Sequence, residues 1–101
     1  MASEEGTGIA QVVTFKLGDE EYGLDIMEVR EIIRMVKVTP IPDAPKGVQG
    51  VIDLRSEVLP VLDLRQRLGM PPRASGDESR IVIVNLGGGM VGLTVDSVSN
   101  V

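Results

Sequence analysis

The chain of 101 residues contains no cysteine and no histidine. Without cysteine, disulfides, thiolate metal sites and thiol nucleophiles are excluded. Without histidine, the chain lacks the commonest general base and the commonest ligand of transition metals. Catalytic or metal centres that depend on either side chain are therefore ruled out, and we expect no cofactor.

Aromatic residues are almost absent, since Phe15 and Tyr22 are the only two. Stacking platforms for sugars or single-stranded nucleic acid are thus missing. The net charge of −5 also argues against binding to nucleic acid. The core must be filled by Val, Ile and Leu, and β-branched residues favour strands.

Long apolar runs are also lacking, because none approaches the roughly 20 residues of a membrane span. Residues 1–10 are small and acidic, unlike a signal peptide, and we expect a disordered leader there. The sequence predicts a single domain over residues 11–101, in a soluble and cytoplasmic protein without direct membrane insertion.

Alternating and continuous apolar segments predict about seven strands, in a mainly β and mostly antiparallel, barrel-like fold. Gly87-Gly88-Gly89 lacks the Lys-Ser/Thr of a phosphate-binding loop and is interpreted as a hairpin turn. Residues 81–84 are apolar on both faces, which is typical of a central strand. The clearest strands are expected at 12–17, 22–24, 48–54, 58–64, 81–84 and 90–98.

A short α-helix is expected from residue 25 to about residue 36. Asp25, with Glu28 three residues later, is typical of a helix start, and apolar residues then recur at helical spacing. Two prolines after residue 39 would end the helix. It would bury Val29 and expose Met27 and Glu31 on the opposite face. A further helical turn is expected at 65–68.

Arg55 lies at the tip of the hairpin expected between residues 48 and 64. It could be a surface charge paired with Asp53 or Glu57, which would contribute little. It could instead be a guanidinium fork that binds a carboxylate or carbonyls of a partner. Both interpretations stay open on the residues alone.

Met27 and Glu31 can likewise each be interpreted either as ordinary surface or as a partner contact. Met27 is either ordinary surface or a soft apolar anchor for a partner. Glu31 and Arg34 are expected to form a solvated pair three residues apart on a helix, with a partner contact as the alternative. From another functional class, a carboxylate-based hydrolase or a divalent-metal binder remains a remote alternative. The carboxylates near strand ends that it would use are Asp53, Glu57, Asp63 and Asp96.

Several segments, in order along the chain, resemble the CheW family, the coupling proteins of bacterial chemotaxis. The resemblance runs from about residue 12 to residue 101. The strings that carry it are FKLGDEEYGLDI at 15–26, VREI at 29–32, GVQGVIDLR at 47–55, LPVLDLR at 59–65 and VGLTVDSV at 91–98.

The resemblance implies two SH3-like β-barrel subdomains and an adaptor without catalytic activity. Its implied partners are the regulatory domain of the histidine kinase CheA and the cytoplasmic helical tip of chemoreceptors. The arginine that the family carries in an Asn-Leu-Arg-Gly motif falls on Arg55, and partner-contact positions fall on Val29 and Glu31. In this chain Asp53 replaces the Asn of that motif and Ser56 replaces its Gly, where a positive φ is expected.

CheW chains continue well past residue 101, so the second barrel is expected to be incomplete here. We expect a C-terminally truncated domain that a longer tail completes, or else strand exchange between two chains. A CheW-like regulatory module of a larger kinase, or a CheV-type fusion, is the alternative within the family.

Overall fold

The computed structural model describes residues 11–100, which form a mainly β fold, as predicted, and whose one short α-helix corresponds to the helical turn expected at 65–68. The predicted leader at 1–10 lies outside the described residues. The elements are β1 (Val12–Leu17), β2 (Glu20–Asp25), a 3₁₀ turn (Ile26–Glu28), β3 (Val29–Arg34), β4 (Val48–Leu54), β5 (Glu57–Asp63), α1 (Leu64–Arg67), β6 (Arg80–Asn85), β7 (Met90–Val95) and β8 (Ser97–Asn100).

These strands form two sheets, one of three strands in the order β2-β1-β8 and one of five in the order β3-β6-β7-β5-β4. All pairings are antiparallel except that of β5 with β7. The single strand expected at 90–98 is interrupted at Asp96, and β8 leaves the five-stranded sheet to pair with β1. The described residues therefore hold eight strands rather than about seven.

The helix predicted from residue 25 to residue 36 is wrong. Asp25 does cap a helical turn, accepting a hydrogen bond from the Met27 backbone N–H at 2.9 Å, but only three residues are helical. The chain then continues as β3, which pairs with β6 with a register shift between Val29 and Glu31. A bulge of this kind inserts one residue, so inward-facing positions are three apart and imitate helical spacing.

The core consists of two apolar clusters that share β6. The inter-sheet cluster contains Phe15, Leu17, Val82, Val84, Leu93 and Val95, and the second cluster contains Ile52, Leu59, Val61, Ile81 and Ile83. Successive residues of β6 alternate between the two clusters, as side chains on a strand must. Residues 81–84 are thus buried on both faces, as the sequence predicts for a central strand.

The five-stranded sheet must be curved, since its two edge strands, β3 and β4, both contact the second cluster. Ile33 of β3 and Ile52 of β4 both pack in the second cluster. Thr39, in the segment after β3, exchanges two backbone hydrogen bonds of 2.9 Å with Val51 of β4. A Cβ on the neighbouring Gly50 would lie 2.2 Å from the Thr39 carbonyl oxygen, so only glycine permits this approach. The finer SH3-like description stays a prediction.

Candidate functional site: the arginine at the hairpin tip

The hairpin of β4 and β5 ends in a two-residue loop, Arg55-Ser56, between the paired residues Leu54 and Glu57. Arg55 has φ +50° and Ser56 has φ +71°, so both loop residues are left-handed. This is the geometry of a type I′ turn, whose twist matches that of the flanking strands. The positive φ expected at Ser56 is confirmed, and the turn holds Arg55 at the end of a rigid ladder.

Arg55 forms a two-bonded ion pair with Glu31. Its two terminal nitrogens donate to the two carboxylate oxygens of Glu31 at 2.5 and 2.6 Å. The Arg55 side chain is 70% exposed and that of Glu31 is 27% exposed. The alternative that pairs Arg55 with Asp53 or Glu57 does not hold, and the expected pair of Glu31 with Arg34 is wrong. On a strand, unlike a helix, residues three apart do not share a face.

The ion pair favours the charged form of both partners. The hydrogen bonds from Arg55 lower the pKa of the Glu31 carboxyl below its ordinary value. The same bonds raise the pKa of the Arg55 guanidinium. Two of the five N–H groups of a guanidinium are used in this pair, so three remain to bind other acceptors. Glu31 therefore orients Arg55 without using up its capacity to donate.

A shallow cleft borders the ion pair. Its lining combines charged and apolar side chains, which are Arg30, Glu31, Leu54, Arg55, Glu57, Ile83 and Met90. Glu57, a predicted site residue, is thus close to Arg55. Asp53 lines a separate groove with Val36, Lys37 and Val58. The structure brings Arg55, Glu31 and Glu57 together and leaves Asp53 apart.

The two remaining predicted residues have different environments. Val29 is half-buried and packs against the inter-sheet cluster, so it supports β3 from the inside. Met27 lies on the 3₁₀ turn with 84% of its surface exposed. Leu86, also exposed, lies two residues beyond Val84, which pairs with Val29. Met27 and Leu86 therefore project from the same end of the sheet.

A second arginine–carboxylate cluster was not predicted. Asp96 accepts hydrogen bonds from Nε and a terminal nitrogen of Arg65, from Arg73 and from the Gly18 backbone N–H at 2.6 Å. The Arg65 side chain is only 11% exposed and Asp96 only 20%. This cluster joins α1, the turn between β1 and β2, and the crossing from β7 to β8, so its role is to hold the two sheets together.

Within residues 11–100, no group of three or more acidic side chains is arranged to hold a metal ion. No helix of this part of the chain is long and apolar enough to span a membrane. These residues also show no side-chain nitrogen or oxygen that is buried without a hydrogen-bond partner.

Comparison with known proteins assigns the family. The profile of the CheW-like domain matches residues 11–101. The chain belongs to the CheW-like domain family. Chemotaxis protein CheW of Treponema pallidum is 42% identical over 95 residues, and the match covers 90% of this chain and 56% of that protein. Chemotaxis protein CheW of Bacillus subtilis is 36% identical over 101 residues, covering 100% of this chain and 64% of that protein.

A solved structure shows the same fold. The scaffolding protein TtCheW from Thermoanaerobacter tengcongensis superimposes with a TM-score of 0.86 at 42% sequence identity. The match covers 90% of this chain and 62% of TtCheW. The present chain thus spans about 55–65% of the length of these three CheW-like proteins.

Proposed function

We propose that this CheW-like chain is a chemotaxis scaffold that holds the helical tip of a chemoreceptor beside the regulatory domain of the histidine kinase CheA. The proposal contains no bond-making step, and the prediction that the chain is not an enzyme agrees with the names of its relatives. These are called chemotaxis proteins, and the solved one is called a scaffolding protein. The predicted cytoplasmic location is part of the same proposal.

The observation that carries the proposal is the exposed, oriented guanidinium of Arg55. A surface arginine usually has many rotamers, and ordering it costs free energy when a partner binds. Here the type I′ turn restricts the backbone and Glu31 restricts the side chain. A partner carboxylate or carbonyl would therefore meet a donor that is already in position.

The apolar residues around Arg55 would supply the rest of the contact. Leu54 and Met90 line the adjacent cleft, and Met27 is exposed at the same end of the sheet. An amphipathic helix binds through a stripe of apolar anchors, and methionine adapts to such stripes. A guanidinium group beside apolar side chains suits the surface of a receptor helix better than that of a nucleic acid or a sugar.

The test is to measure binding and stability separately in Arg55→Ala. We expect at least tenfold weaker binding of a purified receptor-tip fragment, because truncating an arginine hot spot typically costs that much or more. The melting temperature should change by only a few degrees, since an exposed ion pair contributes little to folding. Isothermal titration and circular dichroism melting provide the two measurements.

Arg34→Ala is the matched control, because Arg34 is exposed on the same strand as Glu31 and forms no ion pair with any described residue. It should bind the receptor fragment like the unmodified protein. Equal losses of binding in the two variants, or a collapse of the fold in Arg55→Ala, would contradict the assignment of Arg55. Failure of the unmodified protein to bind either the receptor tip or the kinase regulatory domain would refute the scaffold function.

A further inference from the structure

The turn at the hairpin tip carries side chains that suit it poorly. In residues 11–100 only three residues other than glycine have positive φ, namely Asp43, Arg55 and Ser56. Asp tolerates the left-handed region because its short side chain can bond to nearby backbone, whereas a two-residue type I′ loop normally uses Asn-Gly or Asp-Gly. The loop Arg55-Ser56 therefore places two residues that disfavour positive φ next to each other.

The fold accounts for Arg55 but not for Ser56. Arg55 is held by Glu31, so its strained backbone coincides with an ion pair. Ser56 is exposed, and its hydroxyl makes no hydrogen bond to any described residue. Glycine at position 56 would relieve the strain without loss of packing. The turn requires the positive φ at position 56 but not a serine there, and strained backbone is common at functional positions.

We infer that the Ser56 hydroxyl is a specificity-determining contact to the same partner that binds Arg55, an inference that rests on the proposed function. Arg55 and Ser56 are both exposed in the same two-residue loop, so one partner that covers the hairpin tip can reach both side chains. Arg55 can only donate hydrogen bonds, whereas a serine hydroxyl both donates and accepts. The partner would present an acceptor oxygen to Arg55 and a neighbouring amide or carbonyl to Ser56.

Three substitutions at this position separate the hydroxyl from the backbone strain. Ser56→Gly removes both the hydroxyl and the strain, Ser56→Ala removes the hydroxyl alone, and Ser56→Asn relieves the strain while keeping a polar group. For Ser56→Gly we expect a melting temperature about 4–8 °C higher. We also expect about three- to tenfold weaker binding of the receptor-tip fragment, which is the range for one lost hydrogen bond.

The other two variants complete the test. Ser56→Ala should weaken binding as much as Ser56→Gly with an unchanged melting temperature, and Ser56→Asn should bind within about threefold of the unmodified protein. Binding by the Gly and Ala variants at the unmodified level would overturn the inference while the proposed function stands. A loss in Ser56→Gly alone would also overturn it, because backbone freedom would then be the cause. If the unmodified protein does not bind the receptor fragment, the receptor contact and this inference both fail.

Discussion

Arg55 and Arg65 each donate two nitrogens to a carboxylate, but the two pairs differ in burial and in what they join. Arg65 and Asp96 are largely buried, at 11% and 20% exposure, and Asp96 also binds the backbone of Gly18. In the other pair the Arg55 side chain is 70% exposed and the Glu31 side chain 27% exposed. The guanidinium of Arg65 thus holds parts of the fold together, whereas that of Arg55 is available to partners.

The physical reason for the difference is the cost of breaking each pair. Removing one member of a buried pair leaves a desolvated charge without compensation, whereas an exposed charge is solvated again by water. The buried pair should therefore tolerate little change, and the exposed pair should exchange partners readily. Three experiments test this contrast, in order of decreasing expected effect.

Asp96→Ala should produce the largest loss of stability. The substitution leaves the Gly18 N–H and the Arg65 guanidinium without their acceptor, and we expect the free energy of unfolding to fall by about 2–3 kcal/mol. Urea unfolding followed by circular dichroism measures it. Asp77→Ala, in an exposed loop, is the control and should stay within about 0.5 kcal/mol of the unmodified protein. A similar small value for Asp96→Ala would show that the two sheets do not depend on this cluster.

The next largest effect is expected in the pH dependence of stability, which should reflect the protonation of Asp96. Hydrogen bonds from Arg65 hold the pKa of Asp96 below its ordinary value of 3.8. A carboxyl whose folded-state pKa is lowered stabilises the fold fully above the ordinary pKa, and this contribution is lost as the pH falls below it. We expect urea unfolding to show a decline in stability below about pH 4.

Two variants test whether Asp96 causes that decline in stability. It should flatten in Asp96→Asn and persist largely in Glu31→Gln, although the pKa of Glu31 is lowered as well, because the partner of Glu31, Arg55, is 70% exposed and is solvated by water when the pair breaks. An acid transition of equal steepness in Asp96→Asn and the unmodified protein would assign it to other carboxyls.

Glu31→Gln should have the smallest effect on folding. The glutamine keeps one acceptor for Arg55 but removes the opposite charge, and we expect the melting temperature to change by less than about 4 °C. The small difference should shrink further at high salt, since exposed charges are screened. A drop as large as that of Asp96→Ala would mean that the exposed pair also holds the fold together.

The hairpins were predictable because their signals are local. The sequence predicts strand 48–54 with the observed bounds, and it predicts the adjoining turn at 55–57, one residue longer than the observed loop, because apolar alternation stops and restarts there. The turn at Gly87-Gly88-Gly89 was found in the same way, since glycine permits a tight reversal. These features depend on residues within a few positions of each other.

β3 was misassigned because its pattern has a non-local cause. The bulge between Val29 and Glu31 exists only because this strand pairs with β6, about 50 positions later. Ile32 and Ile33 then face different clusters, which a single sequence window cannot distinguish from one helical stripe. Tertiary pairing overrode the local preference for a helix.

The sequence by itself determined the β-rich class, the exposed tip at Arg55 and the exclusion of cysteine and histidine chemistry, because composition, turn residues and short-range alternation are enough for these. Only the tertiary structure decided which carboxylate each arginine binds. Glu31 lies 24 positions from Arg55, and Asp96 lies 31 positions from Arg65. Ion pairs over such separations depend on how strands are ordered in the sheets, and that order follows from burying both faces of β6 rather than from any local pattern.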